Sequence, residues 1–470
     1  MQQKRIKLQL PFLLFLSFLV LAQTLPAQVP VLIPIQKEDK WGFAGPGKKI
    51  IIPCQYERVS PFESGLARVK KGDKYGFINT KGKEIVPCQY ESVSGFEEGF
   101  SIAEKNDKYG YIDSTGNVIT AFEYEDARSF NGGMAAISKN GKWGYINNTG
   151  KGIYTPDYDE ATAFLNGFAW VSKNNKWALL NTTGKEITPF LFDDKYGIFI
   201  DGVAAVKKDG KAGYIDSEGK EIIALKYDGA LPWKDGLGVV ITSSQYGLVD
   251  KSGKEITPCE YSRIGDFSEG LANTSKGSLY TGKSGYLDKT GKEVIPFEYD
   301  FTTPFSNGVA TVRKTSTISV IDKTGKEIAA TAFDWADAFS EGMACVRKGD
   351  FSTGKKGFID KTGKEVITCQ YTDAKKFKNG IAQVNKNKKW GLIDLSGKEI
   401  SPCVYDFIAD FSESLARVKK NGKWGYINTS GKEVITCRFD DCGNFNNGIA
   451  LVELTGQDLY IDKKGIEYRE

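Results

Sequence analysis

The chain has 470 residues, 63 Lys and Arg against 59 Asp and Glu, a net charge of +4 and no histidine. A near-even balance excludes the concentrated cationic face that nucleic acid demands. The missing histidine removes the commonest general base near neutral pH and the commonest metal ligand.

The chain opens with Lys4, Arg5 and Lys7, then an apolar run from Leu8 to Leu21, then the small residues Ala22 and Ala27. This order predicts a secretory signal peptide over residues 1–27, cut after Ala22 or Ala27 or kept as an anchor. The run is short for a bilayer span, which needs about 20 apolar residues. No second apolar run follows, so no membrane span is expected after cleavage. Losing the three basic residues leaves 60 basic against 59 acidic ones. The expected product is an exported monomer in the periplasm, at the cell surface or secreted.

Residues 28–470 read as one repeat array of about 13 units with a period of about 34 residues. A W/Y-G glycine recurs at Gly42, Gly76, Gly110, Gly144, Gly213, Gly247, Gly285, Gly357, Gly391 and Gly425, with Ala178 and Ser319 in the two gaps. One unit predicts three strands: Ser414–Lys419, Lys423–Asn428 and Glu433–Phe439. Asn421-Gly422 and Thr429-Ser430-Gly431 form the turns between them. Short turns force antiparallel neighbours. Tyr426 and Ile427 are adjacent and apolar, so both faces of the middle strand are covered, as in sheets packed face to face. An aromatic ends each third strand (Tyr56, Tyr90, Phe439) and another opens each F-x-x-G (Phe62, Phe96, Trp233, Phe445), which specifies a core.

The pattern resembles the WG-repeat (KWG) family of bacterial proteins. The resemblance is carried by Lys40-Trp41-Gly42, Lys142-Trp143-Gly144, Lys389-Trp390-Gly391 and Lys423-Trp424-Gly425, each followed by a G-K-E-like turn, and it spans about Val31 to Tyr468. Units eight to ten depart from it, with Ser284, Ile318 and Lys356 before the glycine position. The family is a β-rich repeat without an established catalytic set, so the resemblance implies architecture and no active site. The expected fold is all-β: three-stranded meanders stacked as blades into a continuous superhelical array, with one or two propeller-like rings as the alternative. A propeller usually holds four to eight blades.

No catalytic residues, metal site or cofactor are expected. Asp288, Asp322 and Asp360 precede K-T-G-K-E, but Asn79, Asn147, Asn181 and Asn428 fill the same position. Such exchange reads as a turn cap accepting backbone N–H groups, not as a calcium loop. The recurrent lysines, each near the Glu of G-K-E, read as a solvated mixed edge.

Binding is sought where the copies disagree. The third residue of the first strand varies most, from Arg68 through Trp170 to Arg417. Trp170, Trp335, Arg68 and Arg417 are the ligand-binding candidates, because Trp and Arg are enriched in interface hot spots. The expected function is a non-catalytic scaffold for a protein or glycan partner. The alternatives are a carboxylate-based hydrolase of an envelope polymer and a purely structural spacer. Six cysteines share one register (Cys54, Cys88, Cys259, Cys369, Cys403 and Cys437), where other units hold Phe122, Phe190, Leu225 and Phe297. They read as small buried hydrophobes and free thiols, because blades about 10 Å apart exceed the reach of a disulfide. Cys345 and Cys442 lie off this register and are left open.

Overall fold

The structure is a computed structural model describing residues 32–194, 198–278 and 281–469, with the backbone alone over 154–156. The expected signal peptide lies outside the described residues. Among the described residues the fold is all-β, with one short 3-10 turn at Pro46–Lys48. Most units contain the expected meander; in units three and five the third strand is reduced to isolated bridges, as Tyr109 to Tyr124 and Trp177 to Phe192. In unit twelve the strands are Leu415–Lys420, Lys423–Asn428 and Glu433–Phe439, paired antiparallel throughout. Tyr426 and Ile427 are both fully buried, so the middle strand is covered on both faces.

A fourth strand of two residues precedes most meanders. Arg58–Val59 pairs with Val69 and Lys70, and Asp441–Cys442 pairs with Val452 and Glu453. This segment follows the third-strand aromatic and precedes the F-x-x-G. It carries the chain from the third strand of one unit onto the first strand of the next.

The W/Y-G glycine has a steric reason. The third strand bulges across it: Trp424 pairs with Phe439 and Tyr426 with Ile435, so four steps on one strand answer two on the other. A Cβ on Gly425 would lie 2.5 Å from the Ile435 carbonyl oxygen and 2.7 Å from the Cys437 nitrogen. Where Ser319 replaces this glycine, Ile318, Ser319 and Val320 pair in even register with Thr331, Ala330 and Ala329. The bulge is gone at that point.

The Asx turns are as read. Asn428 Oδ1 accepts the N–H groups of Ser430 and Lys432, and Asp288 Oδ1 those of Thr290 and Lys292. The lysine edge differs from expectation. The lysine before the Trp pairs with the acid just past the third-strand aromatic, not with the Glu of G-K-E. Lys40 meets Glu57 at 2.7 Å and Lys176 meets Asp193 at 2.7 Å. The hairpin brings these two positions side by side, a proximity linear spacing hides. The same acid reaches the next unit: Asp193 accepts the Gly210 N–H and Asp228 the Ser243 N–H.

Units stack through apolar cores shared by neighbours. Phe43, Ile52 and Tyr56 of the first unit pack with Ala67, Val69 and Ile78 of the second. The series is continuous, and its two ends meet. Ile33, Ile35 and Ala44, the counterparts of Ala67, Val69 and Ile78, pack with Ile449 and Tyr468 of the last unit. Gln36 and Arg469 form a β-bridge, and the Trp41 and Tyr460 rings lie 6.0 Å apart, edge to face. The question of open stack or ring is thus answered by contact: the array is a closed circuit of small sheets.

One joint is built differently. Between units seven and eight a single strand, Glu255–Ser268, runs through and joins seven strands into one sheet. Thr274 stands where other units carry aliphatic residues, and it is buried. Continuous backbone pairing is added there to a joint that still buries Leu248, Ala272 and Leu287. All eight cysteines are free, including Cys345 and Cys442, which are buried.

Candidate functional site

The variable residue of the first strand faces the joint with the next unit. There it meets the carbonyls around the next short strand. Arg68 Nη1 donates to the Val93 carbonyl at 3.0 Å, Arg417 Nη1 to that of Cys442 at 2.8 Å, Asn273 Nδ2 to that of Thr302 at 3.2 Å and Gln383 Nε2 to that of Ala409 at 3.2 Å. Part of the variation therefore chooses how one unit grips the next.

Beside this residue lies a cleft, and it recurs at equivalent places with different chemistry. Between units two and three it is lined by Arg68, Glu63 and Phe96, with a volume of about 290 Å³. Between units five and six it holds Trp170, Phe168, Leu165 and Ile198, about 320 Å³. Between units eleven and twelve it holds Gln383, Phe411 and Lys375, Lys376 and Lys378, about 280 Å³. One is charged, one apolar and one lysine-rich, on a common frame.

Trp170 and Arg68 therefore line two clefts of the same row. Trp170 is 7% exposed and packs edge to face on Phe192 at 5.9 Å, so it belongs to both cleft and core. Arg417 holds the equivalent position at the last joint, its guanidinium 5.5 Å from the Trp424 ring. Trp335 is not with them. It sits on a short strand, stacked on Phe301 at 4.9 Å, and its Nε1 donates to Asp337 at 2.9 Å. Trp233 is core, 1% exposed. The repeat positions Trp41, Trp143, Trp390 and Trp424 are half-buried, while Gly42, Gly144, Gly391 and Gly425 are buried beneath the bulge.

Sequence reading missed the cavity where the circuit closes. It is larger than the three clefts above, about 480 Å³, and is lined by residues of the first and last units, Trp41 and Tyr460 among them. The last unit departs from the repeat there: Gln457, Asp458 and Leu459 stand where unit twelve has Lys423, Trp424 and Gly425. This departure was the available signal. Burial, aided by the Asp458 carboxylate, pushes the Tyr460 phenol above its usual range. Elsewhere, Glu91, Glu104 and Asp107 cluster, but these groups are engaged in the joint: Lys74 and the Asp107 N–H meet Glu91, and the Ser92 hydroxyl donates to Glu104.

Comparison with solved structures gives only distant likeness. The tricorn protease matches with a TM-score of 0.27 and 13% identity, over 92% of this chain and 61% of that one, so the chain spans less than two thirds of it. A eukaryotic initiation factor matches with a TM-score of 0.27 and 11% identity, over 72% and 95%. The extracellular domain of a hybrid two component system from B. thetaiotaomicron matches with a TM-score of 0.22 and 10% identity, over 90% and 74%. No curated protein matches the chain. The model of the WG containing repeat matches twelve times between residues 41 and 457, so the chain belongs to that family.

Proposed function

We propose that the protein is an exported, non-catalytic scaffold that binds a protein or glycan partner at the cell envelope or outside the cell. The observation that carries this reading is the row of equivalent clefts, each beside the variable first-strand residue, whose linings differ in chemistry. A spacer has no use for such a row, because its joints need only to be filled. Repeat scaffolds bind through extended surfaces formed by successive units. The charged edge supports the same reading: Lys–acid pairs and N–H contacts hold the joints and leave the clefts to vary.

The test is affinity capture with the secreted form, in parallel with a glycan array. The reading expects one partner retained by wild type and lost when the apolar cleft is made polar by Leu165→Lys with Ile198→Lys, or the lysine cleft neutralised by Lys376→Gln with Lys378→Gln. Both pairs are on exposed positions, so the fold is retained. A partner bound equally by both double variants overturns the assignment to the row.

A further inference from the structure

The cavity at the closing joint has a chemistry unlike the other clefts. Trp41 and Tyr460 offer two half-buried aromatic rings set edge to face. Asp39, Asp458, Gln36 and Gln457 line the same space. Carboxylates and primary amides together supply acceptors and donors to neutral hydroxyls, and the rings supply flat apolar faces. Arg58 is the cation of this wall, and Glu57 pairs with Lys40 at 2.7 Å.

Two features show that this is not a joint of the usual kind. At most joints the lysine before the Trp grips the acid just past the third-strand aromatic, as Lys423 grips Asp440. Here Gln457 replaces that lysine. Leu459 also stands in place of the repeat glycine and is fully buried in the core with Tyr426 and Ile435. Trp41 and Tyr460 keep third-strand partners in Tyr56 and Tyr468, while their rings and the Asp458 carboxylate line the cavity.

Resting on the scaffold reading, we propose that this cavity is a saccharide-binding site for neutral hydroxyl-rich sugars. A sugar ring would lie against Trp41 or Tyr460 while its hydroxyls meet Asp39, Asp458 and the two glutamines. Pockets of this type combine an apolar floor with a few convergent polar groups. Asp39 and Asp458 against Arg58 leave the wall acidic, which repels uronates and phosphosugars. Because its walls come from the first and last units, the sugar also bridges the closing joint.

The experiment is calorimetric titration of the full chain with cellotetraose, maltotetraose, mannotetraose and chitotetraose, with tetragalacturonate as the anionic comparison. The proposal expects saturable binding of at least one neutral sugar and none of the uronate. Trp41→Ala and the exposed Asp458→Asn should each weaken binding about tenfold. Trp390→Ala, at the repeat-equivalent position of unit eleven, should leave it unchanged. The bound sugar should raise the melting temperature, since it binds only the closed form. No saturable binding by any of the four neutral sugars, tighter binding of the uronate, or equal binding by Asp458→Asn and wild type overturns the proposal. A protein partner captured by the cleft row with no sugar bound would sink this site and leave the scaffold reading standing.

Discussion

Asp193 holds Lys176 with one carboxylate oxygen at 2.7 Å and the Gly210 N–H of the following unit with the other at 2.7 Å. One side chain thus ties a strand of its own unit to the hairpin of the next. The Gly210 N–H, with Lys176 second, holds the Asp193 carboxyl down to about 2, from an ordinary value of 3.8. A folded value below the unfolded one means the contribution is present above about pH 4 and is lost as pH falls toward 2. Asp228, Asp300 and Asp440 are held low in the same way, each by its lysine first. Acid unfolding should therefore set in between about pH 4 and 2. Asp193→Asn should destabilise at neutral pH by no more than about 1 kcal/mol, as for a partly exposed pair, read as a lower melting temperature. That difference should fade as pH falls through about 2. A difference that persists below that pH would mean the carboxylate charge is not the cause.

Gly425→Ala should be costly despite adding one methyl. Its Cβ would meet backbone of the third strand, not a movable side chain. We expect a loss of about 3 kcal/mol, measured by urea unfolding. Ser319→Gly should cost much less, because that unit has already given up the bulge.

Trp170→Ala separates cleft from core. The ring is 7% exposed and packed among Phe192, Phe199 and Leu179. Truncation should destabilise by about 3 kcal/mol, as for buried aromatic residues. Trp335→Ala, half-buried on a short strand, should cost less than half as much. A melting temperature unchanged in Trp170→Ala would place that ring on the surface.

The thiols give a counting test. Denatured but unreduced protein should release eight titratable thiols. The native protein should react slowly, since burial pushes Cys88 and Cys369 up to about 11. Several also donate to a carbonyl of the same unit, as Cys403 does to Val384 at 3.6 Å. Fewer than eight in the denatured sample would reveal a disulfide.

Closure is tested at Ile35, which is fully buried against the last unit. Ile35→Asp places an unpaired charge in that core. Small-angle scattering should show an increased radius of gyration with strand content retained by circular dichroism. An unchanged radius would mean the ends are not what holds the circuit shut.

The meander was legible because each strand alternates locally and each turn carries Gly, Asn or Asp. The Asx caps and the free cysteines were legible for the same reason: one register compared across units exposes what a position tolerates. Three things were not. The two-residue strand at Arg58–Val59 is too short to show a period. The partner of Lys176 is Asp193, on the far side of a hairpin and beyond any local pattern. Meeting of the ends depends on the small turn accumulated at every joint, and no single unit encodes the sum. The clefts were half legible. Variation at Arg68 and Trp170 marked the position, but its contact with the next unit is a product of stacking.

The joint between units seven and eight divides the hoop into one arc of seven units and one of six, with the closing joint at the far side. Apolar cores are particular about fit, because packed side chains resist sliding. The molecule thus sets a continuous strand, Glu255–Ser268, opposite a clasp at Ile35 and Tyr468 that no covalent connection backs. Opening should therefore begin at the clasp. Hydrogen exchange should report this as faster exchange confined to the clasp, with strand Glu255–Ser268 still protected.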